Sequence, residues 1–309
     1  MSSEQARQRS GGVSIPFWSR YKPDEVEAAI YLVVPSLIGF GLFYFYPAIR
    51  GLWMSFTDWD LLTDASFIGL DNYRRLIGDS RFWNSLRVTA MYVIYNIPIQ
   101  TVIGLGIALL MNQMKNSTAF RALILLPWFI PNVVVGLLWL MLLNPTVGLV
   151  NMMLELTGIG RVPFLRSLEY ALPTIAGINI WRHMGYVALL FFAGLQTIPG
   201  NLYEAARIDG ASPKQTFVRI TLPLLRPVMA FVVITSVIGS FQIFDTVAVT
   251  TEGGPVNATE VMIWLIFEQA FQRFNMGYGA AISMVLFLIL IGFTMTYIKL
   301  SRASESDLG

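Results

Sequence analysis

The sequence predicts an all-α membrane protein with six transmembrane helices, and its composition and residue order support that prediction. Hydrophobic residues make up 55% of the 309 residues and charged residues only 13%, and the apolar residues are gathered into long blocks. A transmembrane helix needs roughly 20 mostly apolar residues. Because lipid cannot satisfy backbone polar groups, such blocks form helices. The predicted spans are Ala29–Trp53, Val88–Met111, Ala122–Leu143, Ala171–Leu195, Leu222–Ala248 and Gly277–Leu300.

The distribution of Lys and Arg predicts which way the spans face. When the N-terminus is placed in the cytoplasm, the segments on that side hold more basic residues than the loops on the other side, as the positive-inside rule requires. Residues 1–26 and 301–309 are then cytoplasmic tails, and residues 27–300 form one transmembrane domain. The polar start of the chain does not resemble a cleavable signal. We therefore expect a multi-pass protein of the inner or plasma membrane with both termini in the cytoplasm.

The polar residues argue against several other classes of protein. Because the chain has no Cys and a single His, a disulfide framework is excluded and a metal site built by the protein is disfavoured. The net charge of +2 gives no reason to expect a nucleic-acid partner. The chain contains no GxxxxGK[ST] phosphate-binding loop and no Ser/His/Asp or Cys/His set. We therefore expect a protein that is not an enzyme, with no catalytic residue and no cofactor of its own.

The loop between the first and second spans, residues 57–85, is predicted to be partly ordered. Its run Phe67–Tyr73 and the later pair Phe82 and Trp83 are too aromatic for a flexible linker. Packing is one interpretation of these aromatic residues, and contact with a substrate-delivering protein is the other.

Prolines in the second and third spans predict helix kinks. Pro98, Pro127 and Pro131 each lack a backbone N–H, so a carbonyl is freed and neighbouring helices must compensate. Three prolines on two adjacent helices suggest a bundle whose parts move against one another. In the connection that follows, residues 144–170, we expect a short interfacial helix at Leu149–Leu156.

The fourth span contains Asn179, Arg182 and His183 near its centre. A charged residue there costs at least about 2.5–3.5 kcal/mol and normally faces a bundle interior or a cavity. In one interpretation Arg182 and Asn179, one turn apart, line a translocation path. In the other, Arg182 forms a structural pair with Asp245 of the fifth span. His183 is more typical of a hydrogen-bonded packing residue than of a proton relay.

The outer half of the fifth span offers three further candidate path residues, Phe241, Gln242 and Asp245. Gln242 and Asp245 are three residues apart and share a helix face. Because polar groups in lipid must find partners, the path interpretation is favoured for these two residues. Packing against lipid or neighbouring helices is the alternative for Phe241.

The polar segment between the fourth and fifth spans predicts two short helices that project from the membrane. Leu202–Ile208 has the spacing of a short helix, and Gly210 ends it. Ser212 and Pro213 then supply an N-cap and a favoured first residue for a second helix, which runs past Pro223. Such a projection could dock into a partner.

The same segment carries a motif that resembles a known family. Its pattern, Glu204-Ala205-Ala206, three residues, Gly210, nine residues, Ile220, one residue and Leu222-Pro223, resembles the EAA loop of the membrane subunits of ABC importers, here residues 202–223. Within that family, residues 208–212 are most similar to the carbohydrate-importer branch, of the maltose and multiple-sugar type.

The loop after the fifth span strengthens this resemblance. Gly253, Gly254 and Pro255 predict a tight turn. This turn, with Thr259 and Phe271 downstream, resembles the maltose-type first permease subunit. The aromatic loop of residues 57–85 is also similar to the first outer loop of sugar-importer subunits.

The resemblance covers residues 30–300 and implies the type I ABC importer permease fold. Such a subunit pairs with a second permease subunit, two ATPase subunits that bind the ATP and Mg, and an extracytoplasmic sugar-binding protein. The family's maltose member has extra N-terminal spans and a large outer domain that this chain lacks, so we expect smaller contacts with the binding protein. Sugar sites in the family combine an aromatic face with amides and carboxylates. The resemblance assigns ATPase coupling to Glu204, Ala205, Ala206, Asp209 and Gly210.

The resemblance implies import of a sugar, and we expect a di- or oligosaccharide or an amino sugar. A glycerol-phosphate importer is the alternative within the family, because Arg182 alone does not exclude a phosphorylated substrate. A secondary carrier driven by an ion gradient would need buried carboxylates at the midplane and an inverted repeat. Asp245 is the sole candidate carboxylate, and no repeat is visible in the sequence. A structural scaffold would leave Arg182, Gln242 and Asp245 unexplained.

Overall fold

The computed structural model describes residues 23–114 and 118–301. The predicted tails lie outside this range except for residues 23–26 and 301. The chain divides into two compact units, residues 1–53 and 54–309. Apart from an isolated bridge between Thr57 and Phe67, every regular element in the described part of the chain is helical.

The described part of the first unit is one helical run. Helix α1 (Pro23–Phe40) passes through a π-helical turn (Gly41–Phe45) into α2 (Tyr46–Met54). Within this run Ile30–Met54 is long and apolar enough to cross a membrane, which agrees with the first predicted span, and its large apolar side chains are exposed. Apolar side chains around a whole helix are typical of a segment surrounded by lipid or by other subunits.

The second unit contains the other five predicted spans. Ser80–Gln113, Ala171–Gln196, Arg226–Thr250 and Met276–Leu300 can each cross a membrane, and two bent helices form a further candidate span. The helices of this unit are α3 (Asp71–Gly78), α4 (Ser80–Gln113), α5 (Thr118–Phe129), α6 (Asn132–Leu142), α7 (Leu149–Leu156), α8 (Ala171–Gln196), α9 (Gly200–Ile208), α10 (Pro213–Thr216), α11 (Leu222–Leu224), α12 (Arg226–Phe241), α13 (Asp245–Thr250), α14 (Met262–Phe267) and α15 (Met276–Ser301).

Two of the predicted spans, the third and the fifth, are broken. The third span bends by 91° between α5 and α6. The fifth span is interrupted between Phe241, where α12 ends, and Asp245, where α13 begins. The predicted interfacial helix at Leu149–Leu156 is present as α7. Non-helical backbone at membrane depth is tolerated only inside protein or beside a cavity, so both breaks mark positions of interest.

The second span begins earlier than predicted, at Ser80 rather than Val88. The Asp79 side chain accepts a hydrogen bond from the backbone N–H of Arg81 at 2.8 Å and so caps the helix. Because the first two turns include Ser80, Arg81, Asn84, Ser85 and Arg87, hydropathy alone places the start too late.

Close packing of α8 against α4 and α5 forms the centre of the bundle. A Cβ on Gly104 of α4 would lie 2.5 Å from Val187 Cγ1 of α8. A Cβ on Gly185 of α8 would overlap the carbonyl oxygen of Ile124 in α5. Small residues at these points let the helix backbones approach closely.

The loop of residues 57–85 is ordered, as predicted. The buried Asn72 side chain donates to the carbonyl oxygens of Ser55 and Thr57 at 3.0 and 2.7 Å, which fastens α3 to the residues that follow α2. Phe82 is fully buried in the core, whereas Trp83 is exposed. Packing therefore explains Phe82.

Candidate functional site

The break in the third span lies against the centre of α8, where Arg182 caps it. The half-buried guanidinium donates to the carbonyl oxygen of Trp128 at 3.1 Å and to that of Ile130 at 3.0 and 3.2 Å. Both carbonyls lie at the end of α5, before Pro131. The C-terminal end of a helix is where a cation is electrostatically favoured. Arg182 therefore stabilises the bend.

A stacked aromatic pair holds α5 against α8 near the same break. The rings of Trp128 and Tyr186 are nearly parallel, with centroids 4.9 Å apart. Stacking of this kind contributes about 0.5–1.5 kcal/mol beyond the area it buries. The bent span is thus fixed to α8 by both polar and aromatic contacts.

The alternative interpretation, a structural pair of Arg182 with Asp245, is not found, since no ion pair joins these two residues in the described part of the chain. The hydrogen bonds of the guanidinium go instead to backbone carbonyls and to His183. Asp245 Oδ2 accepts a hydrogen bond from Asn132 Nδ2 at 3.0 Å. The carboxylate at the start of α13 is therefore linked to the start of α6, so the two broken spans meet.

His183 uses both ring nitrogens within its own helix. Arg182 Nη1 lies 2.9 Å from Nε2, and the carbonyl oxygen of Asn179 lies 2.9 Å from Nδ1. Because a guanidinium can only donate, Nε2 accepts, and Nδ1 carries the proton and donates. This arrangement agrees with a packing role and leaves no nitrogen free to relay a proton.

A cavity of about 340 Å³ opens where the two breaks meet. Three of the five predicted path residues line it: Asn179, Gln242 and Asp245. The other two do not. Arg182 caps α5, and Phe241 is 9% exposed and packs in a core cluster with residues of α4, α14 and α15. The full lining is Tyr92, Gln100, Asn132, Asn179, His183, Thr235, Ser236, Gly239, Ser240, Gln242, Ile243, Phe244, Asp245 and Thr246.

Several polar residues in or beside the cavity wall were not predicted as site residues from the sequence. Asn132 begins α6 and donates a hydrogen bond to Asp245. Asn96 and Gln100 of α4 donate to the hydroxyls of Ser240 and Ser236 on α12, at 3.0 and 3.4 Å. The signal that points to these residues is the unusual density of amides in an apolar helix, since buried amides need partners.

The predicted coupling segment, here residues 200–225, contains two helices. Gly210 adopts φ of +73°, the left-handed conformation that glycine favours after a helix, and so ends α9. The second helix begins with a capping box, in which Gln215 N–H donates to Ser212 Oγ at 3.3 Å and Ser212 N–H donates to Gln215 Oε1 at 2.8 Å. It runs through α10 and a π-helical turn into α11, past Pro223, as predicted.

Within α9 the motif residues divide between two faces. Ala206 is buried against the chain's own core. Glu204, Ala205 and Asp209 are exposed, and the side chain of Ile208 is 86% exposed. The two alanines therefore have different surroundings, because one packs inward and the other lies on the outer surface.

The turn at residues 253–255 is present and packs against an indole ring. Gly253 has φ of +81°, and a Cβ there would lie 2.8 Å from Trp264 Nε1. Glycine is required for both reasons. Gly254 N–H donates to the carbonyl oxygen of Thr251 at 2.8 Å and closes the turn.

A charged cluster fastens the loop after α13 to the start of α4. Arg81 pairs with Glu260 at 2.9 Å and with Glu268 at 2.5 Å, and Glu268 also pairs with Arg273 at 2.7 Å. The hydrogen bond from Arg81 holds the pKa of Glu268 below its usual value. Burial raises the pKa of Glu260. The cluster thus has a structural role, because it joins the start of α4 to the segment that contains Glu260 and Glu268.

A polar cavity between broken spans and a projecting helical segment together define the membrane-spanning subunit of a transporter. The family is the binding-protein-dependent transport system inner membrane component, whose sequence model matches residues 100–300. The chain belongs to this family. Its members are permease subunits of ABC transporters, which are transport components, and the predicted type I permease fold is confirmed.

Similar proteins extend over nearly the whole chain. The trehalose/maltose transport system permease protein MalF of Thermococcus litoralis is 34% identical over 92% of this chain and 97% of its own length. The sn-glycerol-3-phosphate transport system permease protein UgpA of Agrobacterium fabrum is 33% identical over 85% of this chain and 90% of its own. Among solved structures, a bacterial ABC transporter involved in the import of the acidic polysaccharide alginate matches with a TM-score of 0.78 and 25% identity, over 92% of this chain and 98% of that one.

Proposed function

We propose that this chain is one of two permease subunits of an ATP-driven, binding-protein-dependent sugar importer, and that it forms half of the translocation path. The observation that carries the proposal is the polar cavity at the two helix breaks. Its volume of about 340 Å³ falls within the roughly 300–1,000 Å³ typical of small-molecule sites. Irregular backbone beside a cavity is also how transporters build substrate sites at membrane depth.

The chemistry of the cavity suits a polyhydroxylated substrate. Sugar hydroxyls both donate and accept hydrogen bonds, and the wall offers amides at Asn132 and Gln242, hydroxyls, and the carboxylate of Asp245. The Asn132 Oδ1 atom is buried without a hydrogen-bond partner in the described part of the chain. Phe244 adds an aromatic ring. This set supports a di- or oligosaccharide, or an amino sugar whose ammonium would pair with Asp245.

The same wall argues against a phosphorylated substrate, the alternative represented by the glycerol-phosphate relative. Among the described residues, no Lys or Arg lines the cavity. Arg182, a predicted path residue, instead donates to the carbonyls of Trp128 and Ile130. Phosphate sites normally present arginine or lysine. Asp245 would repel an anion.

We place the coupling segment on the cytoplasmic side, with both termini, where it docks on one of two separate ATPase subunits that bind ATP and Mg. Glu204 would make a charged contact there, Ala205 permits close approach, and Asp209 lies at the end of the same exposed surface. The burial of Ala206 supports a role in seating α9 on the permease itself. Gly210 supplies the turn that separates the two helices.

The transport cycle follows from this placement. Closure of the ATPase pair moves α9 and with it the bundle, which changes from inward-open to outward-open. An extracytoplasmic binding protein then releases sugar into the cavity, and ATP hydrolysis resets the bundle. The breaks in the third and fifth spans provide points at which the helices can change angle. The sugar undergoes no covalent change.

The experiment that tests this function identifies the assembly. The chain is tagged, extracted gently from its native membrane, and the co-purifying proteins are identified. An ATPase and a second EAA-loop permease are expected, and the accompanying binding protein is then screened for the sugars that raise its melting temperature. A chain that purifies alone, yet transports in vesicles under an ion gradient, would contradict the proposal.

A further inference from the structure

We propose that a track of aromatic rings guides the sugar between the cavity and the loop after α13. The aromatic track consists of Phe244, Phe267 and Phe271, with Trp264 behind them. This inference rests on the proposed function, because it takes a saccharide as the cargo. It adds a second sugar-binding element to the chain, outside the cavity.

The rings form a continuous chain of contacts. Phe244 lines the cavity, and its ring centroid lies 5.1 Å from that of Phe267. Phe267 in turn lies 5.6 Å from Phe271. Trp264 flanks the first two rings, at 6.1 Å from Phe244 and 5.7 Å from Phe267. The three phenylalanines are therefore consecutive, with each ring in contact with the next from the cavity outwards.

The exposure of the rings increases away from the core. Trp264 is 8% exposed and supports the track from behind. Phe244 and Phe267 are half-buried, and Phe271 is 56% exposed. Phe267 and Phe271 are four residues apart on one helical run, so they share a face. Trp264, Phe244 and Phe267 also belong to the packed core, so the exposed ring of Phe271 is the part of the track that a ligand outside the cavity would meet first.

The chemistry of such a track suits a sugar that must move. The faces of a pyranose ring carry C–H groups, which pack on the electron-rich face of an aromatic side chain. This contact is weakly directional, so a sugar can pass from ring to ring. Glu268 and Arg273, whose side chains pair at 2.7 Å beside the track, provide polar groups for the hydroxyls.

Because the chain contains no Cys, a single introduced thiol reports on the track. Gln272→Cys places it beside Phe271 at an exposed position. The assembled importer in nanodiscs is treated with a charged maleimide alone, with maltotriose, or with sorbitol, a polyol that has no ring face. Maltotriose is expected to slow alkylation about twofold once half of the sites are occupied, and sorbitol to leave the rate unchanged.

Variants separate ring stacking from apolar burial. In the Gln272→Cys background, Phe271→Tyr should keep the protection by maltotriose and Phe271→Leu should lose it. Phe287→Leu is the matched control, because Phe287 is also 56% exposed but lies on α15 away from the track; protection should persist. An unchanged rate with maltotriose, or protection that survives Phe271→Leu, would overturn the track. Either result leaves the co-purifying ATPase and binding protein unaffected, so it is distinguishable from failure of the proposed function.

Discussion

The bend in the third span and the coupling segment differ in how their charged residues are satisfied. Arg182 on α8 is half-buried and donates to two backbone carbonyls and a histidine of its own chain. Glu204 on α9 is exposed and forms no ion pair in the described part of the chain. One charge is satisfied internally, and the other is available to a partner.

Under the proposed function, this difference separates residues that stabilise the fold from residues that contact the ATPase subunits. Removing the hydrogen-bond partners of a buried charge lowers the free energy of unfolding. Removing the charge lowers it as well, because its partners are left unsatisfied. An exposed charge contributes little to folding, so its effect must be sought in docking. Substitutions at Arg182 or at the cavity wall should therefore change folding stability or substrate affinity. Substitutions in the coupling segment should change transport alone.

The largest effect on folding is expected at Arg182. Arg182→Met leaves the carbonyls of Trp128 and Ile130 without donors, and each unsatisfied buried group costs about 1–3 kcal/mol. We expect the free energy of unfolding in detergent to fall by about 2–4 kcal/mol, measured by denaturant titration. Arg166→Met, at an exposed loop position, is the matched control and should have no such effect. Equal stability of the two variants would show that Arg182 does not stabilise the bend.

The largest effect on transport without a folding defect is expected at Glu204. Glu204→Lys reverses the charge on the exposed face of α9 and should abolish uptake, while membrane insertion and the melting temperature stay as in the wild type. Gly210→Val should also abolish uptake, because a β-branched residue disfavours φ of +73°. Glu169→Lys, at an exposed position away from the coupling segment, serves as the charge-reversal control. Wild-type uptake in Glu204→Lys would remove the docking role.

A smaller effect is expected at the two polar residues of the fifth-span break. Gln242→Ala and Asp245→Ala should each raise the apparent KM for sugar roughly tenfold, since a hydrogen bond to substrate is worth about 1.5 kcal/mol. Basal ATPase activity and assembly should be unchanged. Asp245→Asn distinguishes a neutral sugar from an amino sugar as the substrate. Uptake of a neutral sugar should largely survive, whereas uptake of an amino sugar should fall. Unchanged kinetics in both alanine variants would show that these residues do not contact substrate.

The smallest effect is expected at Gly253. Gly253→Ala meets two costs, the left-handed φ and the overlap with Trp264. Gly158 also has φ of +81° but open space where its Cβ would stand, so Gly158→Ala meets the first cost alone. The melting temperature should therefore fall further for Gly253→Ala, by the equivalent of about 1 kcal/mol. Identical melting temperatures of the two variants would show that the Trp264 side chain moves aside without a measurable cost in stability.

The six spans and the coupling segment were predictable because their signals are local. Apolar length fixes a span, and Gly210, Ser212 and Pro213 each act on their immediate backbone. The breaks were harder to predict. Pro127 and Pro131 indicate a kink, but the 91° bend depends on Arg182, which lies in a different helix. No proline near Phe241 indicates the interruption that follows it.

Side-chain pairing was the least predictable feature of the candidate site. The pairing of Arg182 with Asp245 was plausible from charge alone, yet free carbonyls at the end of α5 compete for the guanidinium, and an amide, Asn132, reaches the carboxylate instead. Likewise, the motif does not reveal that Ala206 packs inward while Ala205 is exposed. These outcomes depend on how distant segments pack, which residue spacing does not encode.

We propose that ATP hydrolysis by a partner subunit drives sugar through this chain. Sugar uptake in vesicles tests this proposal most directly. The co-purified assembly is reconstituted with its binding protein, and entry of the sugar that the binding protein stabilises is followed with internal ATP or with an imposed ion gradient. We predict uptake that requires both ATP and the binding protein, and that disappears in Glu204→Lys. Uptake driven by the ion gradient alone would contradict the account.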